Sequence, residues 1–465
     1  MALPATTVLE VRTGASDNNG GGFVTGETGT DYSQQDAAQA SLTIASLVHS
    51  TTTQINVAVG DFTVSALDVG NLLQITGGAA TAGVYRITAA DVANNRWTLD
   101  RSAGTVNFTV VGSMGGAFAT PGKASAIGVV AGIITWVRAG NYNITSTTSN
   151  VSGGRVTLGT ANTRMIGYQS TRGDLTGVRP LLTATVNTMT MVTSTNDVVF
   201  GNINLSAGSA TGIGGTSSSA GSLIHDVKVT GANASTTGAF LGGANSCHLR
   251  CEASGGSTNG FHGQGGHFIG CVASGIAGRG FQVSGSQCSV FSHCLAINNT
   301  GGSGKGFDLG TATGSAIFLN CTAYGNASEN FDNSSAPVAA CNWINCLAVG
   351  STTAFGFTRN GRAWNCAAFN NNDGNYGSSV IKVGSFDLAA DPFVDATGLD
   401  FALNDEANGG GVCRAAGFLG AFPPLVVTTS YMDIGCAQHQ DGTSPGPVNS
   451  VHVLLALPRG WDVES

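Results

Sequence analysis

One short pattern recurs through the chain from residue 201 onward and restricts the folds that it can adopt. Six segments place a cysteine between a large apolar residue and a small one, as HLRCEAS and FIGCVAS illustrate. Two earlier segments, GNINLSAG and HDVKVTG, fit the same template with an aliphatic residue at the cysteine position. These eight positions recur about every 23 residues: Ile203, Val227, Cys251, Cys271, Cys294, Cys321, Cys346 and Cys366. A repeat of this period indicates a solenoid, in which each repeat stacks on its neighbours.

Two further ladders run in step with the cysteines. One is aromatic and consists of Phe240, Phe261, Phe281, Phe307, Phe331 and Phe357. The other occupies the residue before each cysteine position: Asn202, Asp226, Arg250, Gly270, His293, Asn320, Asn345 and Asn365. Asn and Gly tolerate the left-handed backbone of a sharp turn, so we predict a turn at each of these positions. Period-2 alternation further predicts that Leu249, Cys251 and Ala253 point inward, as do Ile344 and Trp364 in later repeats.

Composition decides between helical and β solenoids. The chain has 69 glycines, charged residues make up 10% of it, and strong surface helix formers are scarce. We therefore predict an all-β protein, a right-handed single-stranded parallel β-helix of about 12 coils. A small N-terminal β domain precedes the coils, and a C-terminal strand extension follows them.

The chain resembles the pectate-lyase-like β-helix superfamily over roughly residues 120–420. ITWVRAGNYNITS at 134–146 resembles that family's first coil, preceded by a short capping helix near residues 120–131, and DPFVDATGLDFAL at 391–403 resembles its closing coils. The N-terminal stretch TGASDNNGGGF, followed by TGTDYSQQDAAQ, resembles β-helical structural proteins of bacteriophages. We predict a glycine-rich segment at 1–30, a small β domain at 31–115, the β-helix at 116–423, and an extension at 424–465 whose strand VHVLLALP pairs with a neighbouring subunit.

The residue after each ladder phenylalanine should point outward. These residues are Leu241, His262, Gln282, Asp308, Asp332 and Thr358. Asp308 and Asp332, one coil apart, should stand roughly 5 Å apart, close enough to share a proton or to act as a retaining glycosidase pair. A solvated polar column and a carbohydrate-binding groove formed by His262, Gln282, Asp308 and Asp332 are the alternatives to catalysis.

The family resemblance weighs against catalysis. Lyases of this fold combine calcium-binding carboxylates with a basic residue, and its glycosidases carry paired aspartate motifs. The later coils offer the bases Arg279, Lys305, Arg359 and Arg362, for which the sequence predicts no acidic cluster at the same coil height. The sequence therefore does not decide whether the protein is an enzyme, and it favours a protein without enzymatic activity.

The remaining polar and thiol groups indicate no cofactor. No C-x₂-C pair occurs, so we expect buried free thiols rather than a zinc site. The acidic segment 385–406 contains Asp387, Asp391, Asp395, Asp400, Asp405 and Glu406 without a base. We expect these carboxylates to cap turns, with calcium binding as the alternative.

Charge and hydropathy exclude several classes of function. A net charge of −8 argues against nucleic-acid binding, and the longest apolar run, Ile127–Val137, is too short to span a membrane. The N-terminus shows no secretory signal. The resemblance of the N-terminal stretch to β-helical phage proteins, together with the expected free thiols, implies a non-enzymatic bacteriophage virion protein (a spike, fibre, or capsid or tail decoration) that is assembled in the host cytoplasm. Its expected partners are other virion proteins, further copies of itself (a trimer by family resemblance) and a host-surface polysaccharide. A polysaccharide lyase or glycoside hydrolase of the tailspike depolymerase type and a bacterial surface adhesin are the alternatives.

Overall fold

The computed structural model describes residues 3–42, 47–51, 53–104, 109–128, 130–159, 162–195, 197–234, 238–256, 258–285, 287–301, 303–310, 315–333, 341–414, 416–417 and 433–437. The chain divides into two compact units, residues 1–210 and 211–465. The four segments predicted from the sequence stay a prediction. No helix in the described ranges is long and apolar enough to cross a membrane.

Within its described residues, the first unit contains one α-helix, three short 3-10 helices and eighteen strands. The helix is α1 (Pro121–Ile127), and the 3-10 helices are Tyr32–Gln34, Ala66–Asp68 and Val92–Asn94. The strands are β1 (Thr7–Val11), β2 (Gly22–Val24), β3 (Ala40–Leu42), β4 (Leu47–Thr51), β5 (Gln54–Val57), β6 (Leu72–Gly78), β7 (Gly83–Asp91), β8 (Arg96–Leu99), β9 (Val110–Met114), β10 (Ile134–Arg138), β11 (Asn141–Ile144), β12 (Ser146–Ser149), β13 (Gly154–Leu158), β14 (Arg164–Tyr168), β15 (Leu181–Ala184), β16 (Met189–Ser194), β17 (Val199–Gly201) and β18 (Asn204–Ser206).

Two kinds of sheet make up the first unit. Strands β3 to β9 form a seven-stranded antiparallel sheet around the fully buried Trp97, whose indole donates to Asp68 at 2.8 Å. The following strands pair in parallel: β10 with β14 and β14 with β17 in one sheet, and β11 with β15 and β15 with β18 in another. Strand β1 adds in parallel to β10. Helix α1, capped by the Thr120 hydroxyl, precedes β10, as the sequence predicted.

The described part of the second unit contains 24 strands and one short helix. The strands are β19 (Ile213–Ser218), β20 (Leu223–His225), β21 (Lys228–Thr230), β22 (Phe240–Gly242), β23 (Cys247–Leu249), β24 (Glu252–Ser254), β25 (Phe261–Gly263), β26 (His267–Ile269), β27 (Val272–Ser274), β28 (Phe281–Val283), β29 (Ser289–Ser292), β30 (Leu295–Ile297), β31 (Phe307–Asp308), β32 (Ala316–Leu319), β33 (Thr322–Tyr324), β34 (Phe331–Asp332), β35 (Cys341–Ile344), β36 (Leu347–Val349), β37 (Arg362–Trp364), β38 (Ala367–Phe369), β39 (Ile381–Val383), β40 (Phe386–Asp387), β41 (Phe393–Asp395) and β42 (Asp400–Leu403), and the helix is α2 (Gly410–Cys413).

These strands build a parallel β-helix with three sheets. The first sheet contains β20, β23, β26, β29, β32, β35, β37 and β39, and the second contains the strand that follows each of them, from β21 to β40. The third sheet contains β19, β22, β25, β28, β31 and β34, and single bridges extend it through Phe357 to Tyr376. Eight strands in the first sheet correspond to seven turns of the chain. The sequence predicted about twelve coils, of which these described strands of the second unit account for about seven.

The inward ladders agree with the sequence. The six ladder cysteines are buried, and each thiol lies 3.3–3.5 Å from a carbonyl oxygen of the preceding coil. All eleven cysteines are free. The ladder phenylalanines are fully buried and stack with ring centroids 4.6–4.8 Å apart. The eight residues before the cysteine positions all adopt positive φ, between 47° and 61°.

The predicted alternation through the turn is wrong. Because Arg250 and its counterparts turn the backbone, the inward residue of each first-sheet strand lies two positions before the turn, as His248 and Phe268 do. These inward rings form a second aromatic stack: His248, Phe268, Phe291 and Phe318, followed by the buried Trp343. Glycine at position 242 leaves space for this second stack, because a Cβ atom there would lie only 2.8 Å from a ring carbon of Phe268. Leu249, Ile344 and Trp364, which were expected to point inward, lie on the outer side, whereas Cys251 and Ala253 after the turn do point inward.

The end of the second unit also differs from the expectation. Strands β41 and β42, within residues 391–403, form an antiparallel hairpin rather than closing coils. The hairpin packs, with Ile434, against the outer side of the second sheet at Leu347. The last coil places Lys382 and Asp387 at inward positions, in register with alanines of the coil before, and both are exposed. Apart from residues 433–437, the predicted extension at 424–465 lies outside the described residues.

Candidate functional site

The residues that follow the ladder phenylalanines form one vertical column on the third sheet. Parallel register pairs Leu241 with His262, His262 with Gln282, Gln282 with Asp308, and Asp308 with Asp332. Thr358 continues the column after the Phe331–Phe357 bridge. The structure therefore brings together the residues that the sequence singled out.

The first half of the column is partly open to solvent. Leu241, His262 and Gln282 are half-buried. The Asn259 amide donates to the Gln282 side-chain oxygen at 2.6 Å, and the His262 Nε2 contacts the Ser284 hydroxyl. These contacts orient an imidazole and an amide toward the same side of the sheet.

The second half of the column is closed, contrary to the predicted solvated arrangement. The side chains of Asp308 and Asp332 are 2% and 0% exposed. The Arg279 guanidinium contacts the Asp308 carboxylate, and the Lys305 ammonium contacts that of Asp332 while lying 3.7 Å from Asp308. The Thr358 hydroxyl donates to Asp332 at 2.5 Å. Strands β31 and β34 end at these aspartates. Side chains from adjacent turns therefore cover the carboxylates and exclude water from them.

A mixed-charge cluster therefore exists where the sequence predicted none. It contains Arg279, Lys305, Asp308, Glu329 and Asp332, and Glu329 lies 3.7 Å from Lys305. We call this set the charged cluster. Three of its members, Arg279, Lys305 and Glu329, stand two residues before a ladder phenylalanine. The position two residues before each phenylalanine forms a fourth ladder in the sequence. Aligning the repeats at this position would have predicted that these charged residues lie in the same coils as the aspartates.

The charges of the cluster hold one another in place. Burial alone lowers the pKa of Lys305, but the carboxylates of Asp308 and Asp332 raise it above its ordinary value. Burial raises the pKa of Asp308, and Lys305 and Arg279 oppose that rise. Lys305 therefore stays an ammonium at neutral pH, and it holds the buried carboxylates rather than accepting a proton.

The surface of the cluster presents hydrogen-bond donors. The Arg279 side chain is 33% exposed and that of Lys305 is 16% exposed, whereas the aspartates lie beneath them. With His262 and Gln282, these groups form a strip that we call the donor strip. Within the described residues, no group of three or more histidine, cysteine or carboxylate side chains is arranged to hold a metal ion. Of the other predicted bases, Arg362 lies on the first sheet, away from this column.

The carboxylates of the acidic segment have other roles. Asp391, Asp395 and Asp400 each accept a backbone N–H two or three residues later, at 2.9–3.0 Å. Asp405 pairs with Arg414. Asp391, Asp395 and Asp400 therefore cap turns at the ends of β41 and β42, whereas Asp405 forms an ion pair.

Comparison with known proteins gives similarity to solved structures only. No protein-family model and no curated protein matches the chain. The pectate lyase Pel9A is 16% identical, with 68% of this chain and 90% of that chain covered and a TM-score of 0.46. A rhamnogalacturonan lyase is 15% identical, with 63% and 90% covered and a TM-score of 0.38. The Dettilon tailspike protein is 9% identical, with 56% and 62% covered and a TM-score of 0.33. This similarity concerns the fold.

Proposed function

We propose that the protein is a non-enzymatic structural protein of a bacteriophage virion and that its donor strip binds a host-surface polysaccharide. The observation that carries the proposal is the pairing within the charged cluster. The column expected to supply a catalytic pair is occupied by buried carboxylates, which Lys305 and Arg279 neutralise.

The electrostatics of the cluster supports the absence of catalysis. A general base must accept a proton near neutral pH, and a lysine does so only when its pKa is lowered. The carboxylates around Lys305 raise its pKa instead. A glycosidase pair needs one carboxylate on each side of a sugar, and these two are buried under cationic side chains. The cluster therefore supports a stabilising role for these charges.

The donor strip supports polysaccharide binding. His262, Gln282 and Lys305 come from three consecutive coils, which are spaced by about 4.8 Å, so donors recur along the direction of the column. A polysaccharide repeats its hydroxyl and carboxylate groups in the same way. The partly exposed Arg279 suits an acidic sugar, because a guanidinium binds carboxylates through paired donors.

The virion assignment rests on other support. The N-terminal stretch around DNNGGGF resembles phage structural proteins. Eleven free cysteines are compatible with assembly in a reducing host cytoplasm.

A polysaccharide panel tests binding and catalysis together. The purified chain is offered capsular polysaccharides and O-antigens while binding, reducing ends and unsaturated uronates are measured. We expect binding to at least one acidic polysaccharide without product. Loss of one hydrogen bond in Gln282→Ala should weaken that binding about fivefold. Gln287→Ala, the same substitution at an exposed turn, should leave it unchanged. Product formation, or no binding by the wild-type chain, contradicts the proposal.

Mass spectrometry of purified virions tests the assignment to the particle. The virions come from the phage that encodes the chain, and its peptides should be present at a fixed ratio to the major capsid protein. Absence of these peptides from intact particles rejects the virion role, whatever the outcome of the polysaccharide panel.

One observation favours an enzyme as the second candidate. Asp308 has a raised pKa beside a second carboxylate, which is the arrangement of a protonated general acid. If the panel yields product, Asp308→Asn should abolish it while the chain retains its β-sheet circular dichroism. If Asp308→Asn forms product at the wild-type rate, Asp308 is not the acid.

A further inference from the structure

The outer side of the first sheet in the second unit carries a column of apolar residues. Parallel register links Leu249 to Ile269 and, after Ser292, links Leu319, Ile344, Trp364 and Val383. Trp364 and Val383 are each 39% exposed. We call this column the apolar face. It consists of Leu249, Ile269, Leu319, Ile344, Trp364 and Val383.

On the neighbouring second sheet, the outward apolar residues are covered by another part of the chain. On the outer side of the second sheet, Leu347 is fully buried and Val349 is 2% exposed. They are covered by the chain that follows the last coil, through Phe393, Leu403 and Ile434. One outer face is thus covered by the C-terminal part of the chain, while the apolar face beside it is open at Trp364.

The described chain ends beside the apolar face. After Ile434, the Gly435 N–H donates to the Asn345 carbonyl at 2.8 Å, and the Cys436 N–H donates to the Thr322 hydroxyl at 2.9 Å. Asn345 is the turn residue that directly follows Ile344 of the apolar face. At Cys436 the chain has therefore reached the corner between the second and first sheets.

The sequence beyond this corner contains a segment of suitable length and chemistry. Residues 451–458 read VHVLLALP, without a charged residue, and Val451, Val453, Leu455 and Leu457 alternate with the others. The 13 residues at 438–450 span up to about 43 Å. Eight stacked strands extend over about 34 Å, so the linker reaches every coil of the face.

The sequence predicts that the segment Val451–Pro458 pairs with a neighbouring subunit. We propose instead that this segment docks on the apolar face of its own chain, with Val453 and Leu455 against Ile344 and Trp364. Burial of apolar side chains on both partners drives the docking. A linker of this length gives the tethered segment a high effective concentration, so it outcompetes the same segment of another copy. This inference is independent of the polysaccharide site, which lies on the third sheet.

Fluorescence of Trp364 in the full-length chain tests the docking. Emission and acrylamide quenching are measured for the wild-type chain, Leu455→Asp and His452→Asp, and the Trp364→Phe version of each isolates the signal of this residue. His452→Asp is the matched control, since it adds the same charge on the opposite side of the strand. Leu455→Asp should shift the Trp364 emission to the red and increase quenching, whereas His452→Asp should do neither.

The mass of the particles in solution identifies which copy supplies the segment. Light scattering should give the same mass for the wild-type chain and Leu455→Asp if the segment belongs to the same chain. Unchanged Trp364 quenching in Leu455→Asp overturns the docking. A wild-type oligomer that dissociates in Leu455→Asp overturns the same-chain assignment in favour of exchange between copies.

Discussion

The aromatic stack gives the sharpest test of what holds the coils together, and Phe307→Ala is the perturbation. Phe307 is fully buried, with stacked neighbours Phe281 and Phe331 at 4.6 and 4.8 Å. Phe318 meets its ring edge-on at 5.4 Å. Truncating a buried phenylalanine costs about 3–5 kcal/mol, and each aromatic pair contributes about 0.5–1.5 kcal/mol beyond its buried area. The backbone ladders above and below fix the cavity walls, so we expect a cost near 5 kcal/mol.

The assay is the unfolding rate in guanidinium, because long β structures often unfold irreversibly. If half of the lost free energy falls on the unfolding barrier, Phe307→Ala should unfold roughly 50- to 100-fold faster than wild type. Phe355→Ala is the control, since that ring is only partly buried. If Phe307→Ala unfolds no faster than Phe355→Ala, the stacked rings do not stabilise the coils and this reasoning is wrong.

Three further predictions concern buried and paired ionisable groups. Both ring nitrogens of His248 lack a hydrogen-bond partner in the described chain, and burial lowers its pKa to about 3. Acidification from about pH 6.5 should destabilise the wild type, because the unfolded chain then binds a proton that the folded chain excludes. His248→Phe should raise the free energy of unfolding by about 1–3 kcal/mol and flatten that pH dependence in thermal melts at pH 5 and 7. Asp308→Asn should cost about 2–4 kcal/mol, measured by guanidinium unfolding, because it leaves buried cations less well paired, whereas the exposed Asp373→Asn should cost less than about 0.5 kcal/mol. Although burial raises it, hydrogen bonds and the ion pair with Arg250 hold the pKa of Asp226 well below its usual range. Its stabilisation is present above about pH 4 and lost as the pH falls through the folded-state pKa, so Asp226→Asn should lower the melting temperature at pH 6 more than at pH 2.

Most of the fold could be predicted because each coil repeats the same local demands. The recurrence of Cys251 and its counterparts fixes the period, and the phenylalanines fix which side of the third sheet is inward. The positive-φ residues could also be predicted, even at Arg250, because the register requires a turn there whatever its side chain. A structural constraint that recurs in every coil can be recognised in a single sequence, because the same residue type is repeated at many equivalent positions.

The errors came from a turn within the coil and from contacts between adjacent coils. The turn at Arg250 interrupts the alternation, and counting by twos across it moved Trp364 to the wrong side of the sheet. The burial of Asp308 depends on Lys305 in the same turn and on Arg279 from the coil before. Such contacts depend on how side chains from adjacent coils meet, which the period of one coil does not specify.

The contrast between the inner coils and the last one has a consequence for how the protein can evolve. Each inner coil directs cysteine, alanine and phenylalanine inward, so its upper and lower sides contact the neighbouring coils through the same residue types. The stacked rings of Phe281 and Phe307 are one such contact. Duplication or deletion of one whole repeat therefore leaves the inward contacts between coils chemically unchanged and alters the length of the second unit in steps of about 4.8 Å. The last coil differs, because Lys382 and Asp387 occupy inward positions that hold alanines in the coil before. They make the final coil a terminus that another coil cannot extend without burying charge, so length can vary while the end stays the same.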